Sequence, residues 1–345
     1  MTPAGMSAEK AAPKVAVAVI THNGKKYLKT CIESLLNQTY KNFDIYLIDN
    51  ASSDGSSEYV KQNFPMVKII RFEKNLGFAK AYNIAIRMID ADYIALLNDD
   101  TKAHPKWLEE LVKAALEDEK AGALGSLILF LDHPNIVQHA GGMITPIGGG
   151  IDIGFGKPLH KVDLRKRYVG YVCGAAMLVK KDAFEKVGGF DNDYFAYFED
   201  VDLCWRMWLQ GYKVVLVPTS VVYHKYGGSW GGRYNPRRLY LSHINKLRNT
   251  LKNFGTLNCI KGILLNIIFD ISRSLLIVVK YKRIHDAKSI IKAWKTLVGE
   301  LKILCNKRIR IQKKRRTRDN FIVKYFLCSL LYGVKEYLRL DIKSE

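Results

Sequence analysis

Val15-Ala16-Val17-Ala18-Val19-Ile20, followed at once by Thr21-His22-Asn23-Gly24, sets the frame for the whole chain. Six apolar residues in a row, four of them β-branched, leave no polar face to turn to water. Such a run is a strand buried on both sides, as in the interior of a parallel sheet. The polar turn ends it, and Tyr27, Cys31 and Leu35 then recur at helical spacing, which predicts a helix to about Asn37. The pattern continues outward. Residues 43–48 (FDIYLI) predict a second strand, running into Asp49-Asn50-Ala51-Ser52-Ser53-Asp54-Gly55. Residues 67–72 predict a third, followed by Asn75-Leu76-Gly77 and a helix through about Met88. Residues 93–97 predict a fourth, ending in Asn98-Asp99-Asp100. Strand and helix alternating at this spacing give βαβ units: an α/β fold with a mostly parallel sheet flanked by helices. Ligands of such sheets sit beyond the carboxyl ends of the strands, and here every one of those ends is polar.

Beyond this half the pattern is less regular. The glycine-rich stretch 141–156 predicts loops and a hairpin. Residues 183–187 predict a short helix closed by Gly188-Gly189, residues 199–209 a second helix, and residues 213–217 a strand ended by Pro218.

Charge divides the chain. Over 345 residues, 54 Lys and Arg oppose 33 Asp and Glu. Residues 1–232 hold 27 basic and 26 acidic residues, whereas residues 233–345 hold 27 and 7. A near-neutral body therefore carries a basic tail, and the tail points to a polyanionic surface. A composition of 48% hydrophobic and 25% charged residues excludes disorder along the whole length. The six cysteines, Cys31, Cys173, Cys204, Cys259, Cys305 and Cys328, show no CxxC spacing, which argues against a zinc site or a disulfide framework and fits a reducing cytosol. Residues 1–14 lack an apolar run and read as an arm rather than a signal peptide.

Two acidic groups carry the candidate chemistry. Adjacent carboxylates in Asn98-Asp99-Asp100 suit a hard divalent cation whose other ligands are phosphate oxygens; equally, Asp100 could cap the helix of Trp107 and Leu111. In Glu199-Asp200-Val201-Asp202 the acids stand among Tyr194, Phe195, Tyr197, Phe198 and Trp205. Poor solvation there raises a carboxylate pKa and suits a general base, while a helix first turn also favours acids, with Asp202 in the structural part. His224, in Tyr223-His224-Lys225-Tyr226-Gly227-Gly228-Ser229, reads alone as a structural histidine or a metal ligand.

The segments VAVAVITHNGKKYLKTCIESLLNQTY, DIYLIDNASSDGS, NLGFAKAYNIAI, YIALLNDDT, YVCGAAMLVKKDAFEKVGGFD, YFEDVDLCWR and HKYGGS occur in this order over residues 14–232. Together they resemble the family-2 glycosyltransferases of GT-A fold, in particular the rhamnosyltransferase-like branch. The resemblance implies an inverting, metal-dependent glycosyltransferase using a nucleoside-diphosphate sugar and Mn²⁺ or Mg²⁺. It implies that Thr21, His22, Asn23, Asp49, Ser52, Asn75, Gly77, Asn83, Asp99, Cys173 and Gly174 border the donor. Asp100 and His224 would be the metal ligands, and Asp200, with Glu199 beside it, the base. The motif opens with Asn98 where the family often has Asp. A catalytically inactive nucleotide-sugar or polyanion binding protein is the alternative. Three parts are expected: the arm (1–14), the catalytic domain (15–232) and a basic helical appendage (233–345).

In the tail, residues 262–279 are long and apolar enough to span a membrane, yet Asn266, Asp270 and Arg273 share one helix face. This favours a helix lying in the interface or packed on the body. Residues 286–304 place Ile290, Trp294, Leu297, Leu301 and Leu304 in one stripe and Lys288, Lys292, Lys295 and Lys302 in another; residues 307–316 form a basic run, and residues 321–340 read as a further helix. The expected partner of residues 257–345 is an anionic membrane, with the enzyme peripheral on its cytoplasmic face and a glycan or lipid-linked acceptor. Oligomerisation is the other use of such a tail. Nucleic acid is not expected, since apolar stripes serve no purpose there and no nucleic-acid module is recognisable.

Overall fold

The computed structural model describes residues 12–226 and 235–329. The first half is β1 (Val15–Thr21), α1 (Lys25–Leu36), β2 (Phe43–Asp49), α2 (Ser56–Asn63), β3 (Lys68–Arg71), α3 (Phe78–Met88) and β4 (Tyr93–Asn98). Then come β5 (Thr101–Ala103), α4 (Trp107–Glu117), β6 (Ala121–Phe130), β7 (His133–His139), β8 (Gly142–Ile144), β9 (Gly150–Asp152), β10 (Lys157–Pro158), β11 (Arg167–Tyr168) and β12 (Ala176–Lys180). The remainder is α5 (Lys181–Val187), α6 (Glu199–Leu209), β13 (Lys213–His224), α7 (Pro236–Asn253), α8 (Thr256–Val279), α9 (Ile284–Lys313) and α10 (Asp319–Phe326).

Strands β3, β2, β1 and β4 lie side by side and parallel, with Thr21 opposite Asp49 and Ile20 opposite Asn98. The polar ends of three strands thus open on one edge. Beyond β4 the sheet becomes mixed: β12 runs antiparallel to both β4 and β6, and β13 is parallel to β6. Along β1 the two faces separate by size. Val15, Val17 and Val19 pack with Leu28, Ile32 and Trp107 of α1 and α4. Ala16 and Ala18 face α3, where their small side chains admit Tyr82, whose hydroxyl donates to Ala18 O at 3.1 Å. The glycine-rich stretch does form a hairpin, β8 on β9.

Pro218 does not end its strand, contrary to expectation. The pairing of β13 with β6 slips between Val217 and Val221, so the residues between bulge out of the ladder and the missing N–H of proline goes unneeded. The strand runs on to His224, which pairs with Thr101 of β5 and so stands beside Asp100.

The tail is built into the body. Buried Asn245, Asn249, Lys252 and Asn253 of α7 face residues 191–202 and the 147–148 turn. The stripe of α9 that resembled a membrane face packs on α7 instead, with Ile290, Leu297 and Leu304 almost fully buried. Nor is the run 307–316 simply a surface patch: Lys307 pairs with Asp191 and Asp193, and Arg308 donates to the carbonyls of Leu251 and Phe254 at 2.6 Å. Phe326 of α10 stacks on Trp208, ring centroids 4.4 Å apart. Helix α8 behaves differently. Asn266 and Asp270 turn inward as expected, Asp270 meeting Lys246, His243 and Trp294. Its opposite face exposes Leu257, Ile260, Leu264, Ile268, Ile271, Leu275 and Val279. The parts of the expected arm (1–11), of the Gly-Gly-Ser turn (227–229) and of the last helix (330–340), together with the boundary at 232, lie outside the described residues.

Candidate active site

At the ends of β4 and β13 the acidic pair meets the histidine. His224 Nε2 lies 3.0 Å from Asp100 Oδ1, and the Asn98 amide nitrogen is 3.5 Å from the same ring atom. Asp100 Oδ1 is buried and, among the described residues, accepts no hydrogen bond of good alignment. On the far side of the ring both Gln138 amide atoms reach Nδ1, the nitrogen at 2.8 Å and the oxygen at 3.2 Å. When the amide presents its oxygen and Nδ1–H donates to it, the Nε2 lone pair is directed at Asp100. Two electron-pair donors this close, one without a hydrogen bond, fit a divalent cation that takes its other ligands from phosphate and water. The capping alternative for Asp100 does not hold, because α4 starts after Lys106. Asp99 is also buried and accepts the Thr21 hydroxyl at 2.5 Å. Burial, then the Asp100 charge, pushes its carboxyl up to about 7 against that hydrogen bond. Gly24 is required in this corner: a Cβ there would sit 1.8 Å from Asp99 Oδ2.

The turns after β1, β2 and β3 interlock. His22 Nδ1 donates to Asn50 O at 2.9 Å, Asn23 N–H donates to Ser52 Oγ at 3.0 Å, and Ser53 N–H donates to Asn23 Oδ1 at 2.7 Å. Asn50 spans from this turn to the next, donating to Asn75 Oδ1 at 3.0 Å and accepting from Leu76 N–H at 2.8 Å. Gly77 holds φ +77°, and a Cβ there would lie 2.6 Å from Phe195 O. Asp49 is fully buried under these turns, its carboxylate taken by Ser52 N–H, the Ser57 hydroxyl and Arg71. Asn83 is turned toward residues 190–192: its amide donates to Phe190 O and Asn192 Oδ1 and accepts from Phe190 N–H. Both residues brace the site rather than open into it.

Glu199 and Asp200 begin α6, directly after Tyr197 and Phe198, which carry φ values of +73° and +63°. Two bulky residues in the left-handed region store strain. Asn245 of α7 holds this turn by donating to Tyr197 O at 2.7 Å and Ala196 O at 3.0 Å. Asp200 accepts Gly174 N–H at 3.0 Å and Val201 N–H at 2.8 Å. Burial raises its pKa against those two donors, and Asp152 raises it further. Burial, then Asp200, pushes Glu199 up to about 8, and its Oε2 has no hydrogen-bond partner among the described residues. The donors favour ionisation of Asp200, which leaves the pair's proton on Glu199. Behind Asp200, His139 accepts Cys173 N–H at Nε2 (3.1 Å) and holds Asp152 Oδ1 through Nδ1 (2.7 Å). Tyr171 donates to the same oxygen at 2.7 Å. Asp202 takes the structural part, accepting from Arg206 and Asn253 at 2.9 Å each.

One short segment joins the two acidic centres. Gly174 N–H reaches Asp200, and Ala175 O accepts Asn98 N–H at 3.0 Å. Phe78 N–H donates to Phe195 O at 2.7 Å, tying the third turn to the base turn. Thr21, Asp99, Asp100 and His224 therefore form one cluster, Cys173, Gly174, Glu199 and Asp200 a second beside it, and His22, Asn23, Ser52, Asn75 and Gly77 the adjoining rim. Gln138, His139, Asp152 and Asn245 were not picked out from sequence. A histidine just before the glycine-rich stretch and an aspartate within it were the one available signal.

The family model for glycosyl transferase family 2 matches residues 16–188, half of the chain, and that for the N-terminal domain of galactosyltransferase matches residues 155–226. The N-acetylglucosaminyl-diphospho-decaprenol L-rhamnosyltransferase of Mycobacterium tuberculosis is 31% identical over 237 residues, covering 62% of this chain and 77% of that protein. The rhamnosyltransferase WbbL of Escherichia coli is 28% identical over 221 residues, covering 61% and 83%. Among solved structures, GalNAc-T7 with UDP, GalNAc and Mn²⁺ superposes with a TM-score of 0.59 at 20% identity, covering 71% of this chain and 49% of that one.

Proposed function

Because the chain belongs to glycosyl transferase family 2 and is a glycosyltransferase of GT-A fold, we propose that it moves a sugar, with inversion, from a nucleoside diphosphate to a hydroxyl of a lipid-linked or glycan acceptor. The observation that carries this reading is the bridge from Asp200 through Gly174 and Ala175 to Asn98, which sets the buried Asp200 carboxylate beside the Asp100–His224 pair. The rhamnosyltransferase names of the two relatives favour a deoxyhexose donor such as dTDP-rhamnose, and the first relative's name favours a sugar on a lipid diphosphate as acceptor.

Asp100 and His224 would hold the cation, Mn²⁺ or Mg²⁺, which when bound would offset negative charge on the departing diphosphate. Thr21 holds Asp99 beside that pocket. His22, Asn23, Ser52, Asn75 and Gly77 shape the cradle of the nucleotide, braced by Asp49 and Asn83. Cys173 and Gly174 border the sugar. Asp200 takes the proton of the acceptor hydroxyl as its oxygen bonds to the anomeric carbon and the bond from that carbon to phosphate oxygen breaks. A nucleoside diphosphate is a good leaving group and needs no protein acid. Incubating the enzyme with a lipid-diphosphate sugar as acceptor and dTDP-rhamnose or a UDP-hexose as donor, with Mn²⁺ or with chelator, tests this: one donor is consumed with the cation and not without it. Consumption of no donor, or equal consumption under chelation, would refute the reading.

We further infer that the enzyme rests on a membrane through α8. The helix is 24 residues, about 36 Å long, its most apolar 18 residues have a mean hydropathy of 2.0, and its polar face is locked to α7 with its apolar face outward. Lys280, Lys282 and Arg283 follow its end, placing cations at headgroup level. Deleting the tail would unpack α7 and α9, so point changes are the cleaner test. The protein co-sediments with anionic liposomes, and the variant Leu264→Ser, Ile268→Ser, Ile271→Ser, Leu275→Ser does so at least about tenfold less; equal binding by the variant would exclude α8 as the contact.

A further inference from the structure

Arg238, in the first turn of α7, differs from the other cations of that helix. Lys246 pairs with Asp270, Arg248 with Glu300, and Lys252 with Asp191 and Asp202. Arg238 is partly buried, yet among the described residues it meets no carboxylate. Its guanidinium lies 5.3 Å over the Tyr197 ring and donates to the Tyr226 hydroxyl at 3.3 Å. Holding a cation away from water without an anion is costly, and the cost is recovered when an anion arrives.

The position specifies the anion. Tyr197 comes two residues before Glu199, and Tyr226 two residues after His224, so the guanidinium bridges the base side and the cation side of the crevice. Its neighbour Arg237 lies 4.8 Å over the ring of Phe195, the residue packed on Gly77. Tyr226 is backed by Phe130 and Phe155, with ring centroids 5.7 Å and 5.4 Å from its own. Helix α8 runs antiparallel to α7, Asp270 lying against Lys246 and Gly262 against Thr250. Ile277, near its far end, consequently clusters with Leu239, the residue after Arg238. The outward apolar face of α8 thus leads toward the two arginines.

We propose that Arg238, with Arg237 beside it, anchors the diphosphate of a lipid-diphosphate acceptor, whose apolar chain lies along α8 while its sugar hydroxyl reaches Asp200. This rests on the reading of the chain as a glycosyltransferase with a lipid-linked acceptor and adds the group that selects that acceptor. A planar guanidinium suits paired phosphate oxygens, and stacking on Tyr197 fixes its plane. The same chemistry could hold the donor diphosphate, and the assay separates the two.

Two acceptors with one sugar are compared, on a short prenyl diphosphate and as an alkyl glycoside. Wild type favours the diphosphate acceptor in kcat/KM. Arg238→Gln loses about 10–100-fold on it, with a much smaller change on the alkyl glycoside, and Arg238→Lys falls between. Equal loss on both acceptors, or a rise confined to the donor KM, would overturn the proposal. A binding measurement decides the matter without turnover. With saturating nucleoside diphosphate and Mn²⁺, the prenyl diphosphate binds wild type about tenfold or more tightly than Arg238→Gln of unchanged melting temperature; equal binding contradicts the assignment. If wild type consumes no donor at all, it is the glycosyltransferase reading that fails, and the binding result still stands by itself.

Discussion

Asp200→Asn binds donor and cation as wild type does and transfers sugar about a thousandfold more slowly. The amide keeps the volume of the side chain and, with one acceptor oxygen in place of two, one of the Gly174 and Val201 contacts, but it cannot take a proton. The pH profile carries the same information. Burial raises the pKa of Asp200 and pushes Glu199 up to about 8, so protonated carboxyls accumulate as pH falls and the wild-type rate declines on the acid side. The residual rate of Asp200→Asn does not follow that decline. Glu199→Gln keeps the base and loses less activity. Transfer by Asp200→Asn at the wild-type rate would remove Asp200 from the chemistry.

Asp100→Ala and His224→Ala each lose activation by Mn²⁺, with transfer at saturating donor down by about a hundredfold or more. The cation would have two protein ligands in this arrangement, so losing either leaves it one side chain and the phosphate oxygens. Gln138→Leu is milder. It frees the imidazole without removing it, and about tenfold more Mn²⁺ is then needed for half-activation. A Mn²⁺ titration of all three variants checks the order. An unchanged curve for Asp100→Ala would exclude that carboxylate as a ligand.

The parallel half of the fold was legible because β1 and β4 are apolar up to their last residues and the strands end abruptly in polar turns, so that Thr21, Asp49 and Asn98 fall on one edge. The second half was harder for specific reasons. Pro218 signals a strand end, yet a bulge absorbs it and carries His224 to Asp100. Gln138, His139 and Asp152 border a glycine-rich stretch where no periodicity marks what will face the crevice. The stripe of Ile290, Leu297 and Leu304 is amphipathic in the same way whether it meets lipid or another helix, and only the packing on α7 decides. The polar face of α7 was the least legible. Nothing in the sequence marks the partners of its polar residues: Asn245 holds the strained turn at 197–198, Asn249 the Gly148 carbonyl and the Tyr194 hydroxyl, and Lys252 and Asn253 the acids at 191 and 202.

The arrangement stands or falls on a cation held between Asp100 and His224 and facing Asp200. The direct measurement is anomalous diffraction at the manganese edge from crystals grown with Mn²⁺ and a nucleoside diphosphate. The account predicts one strong peak within coordination distance of Asp100 Oδ1 and His224 Nε2, with the terminal phosphate beside it. A peak at other residues, or a bound nucleotide with no peak in that corner, would contradict it.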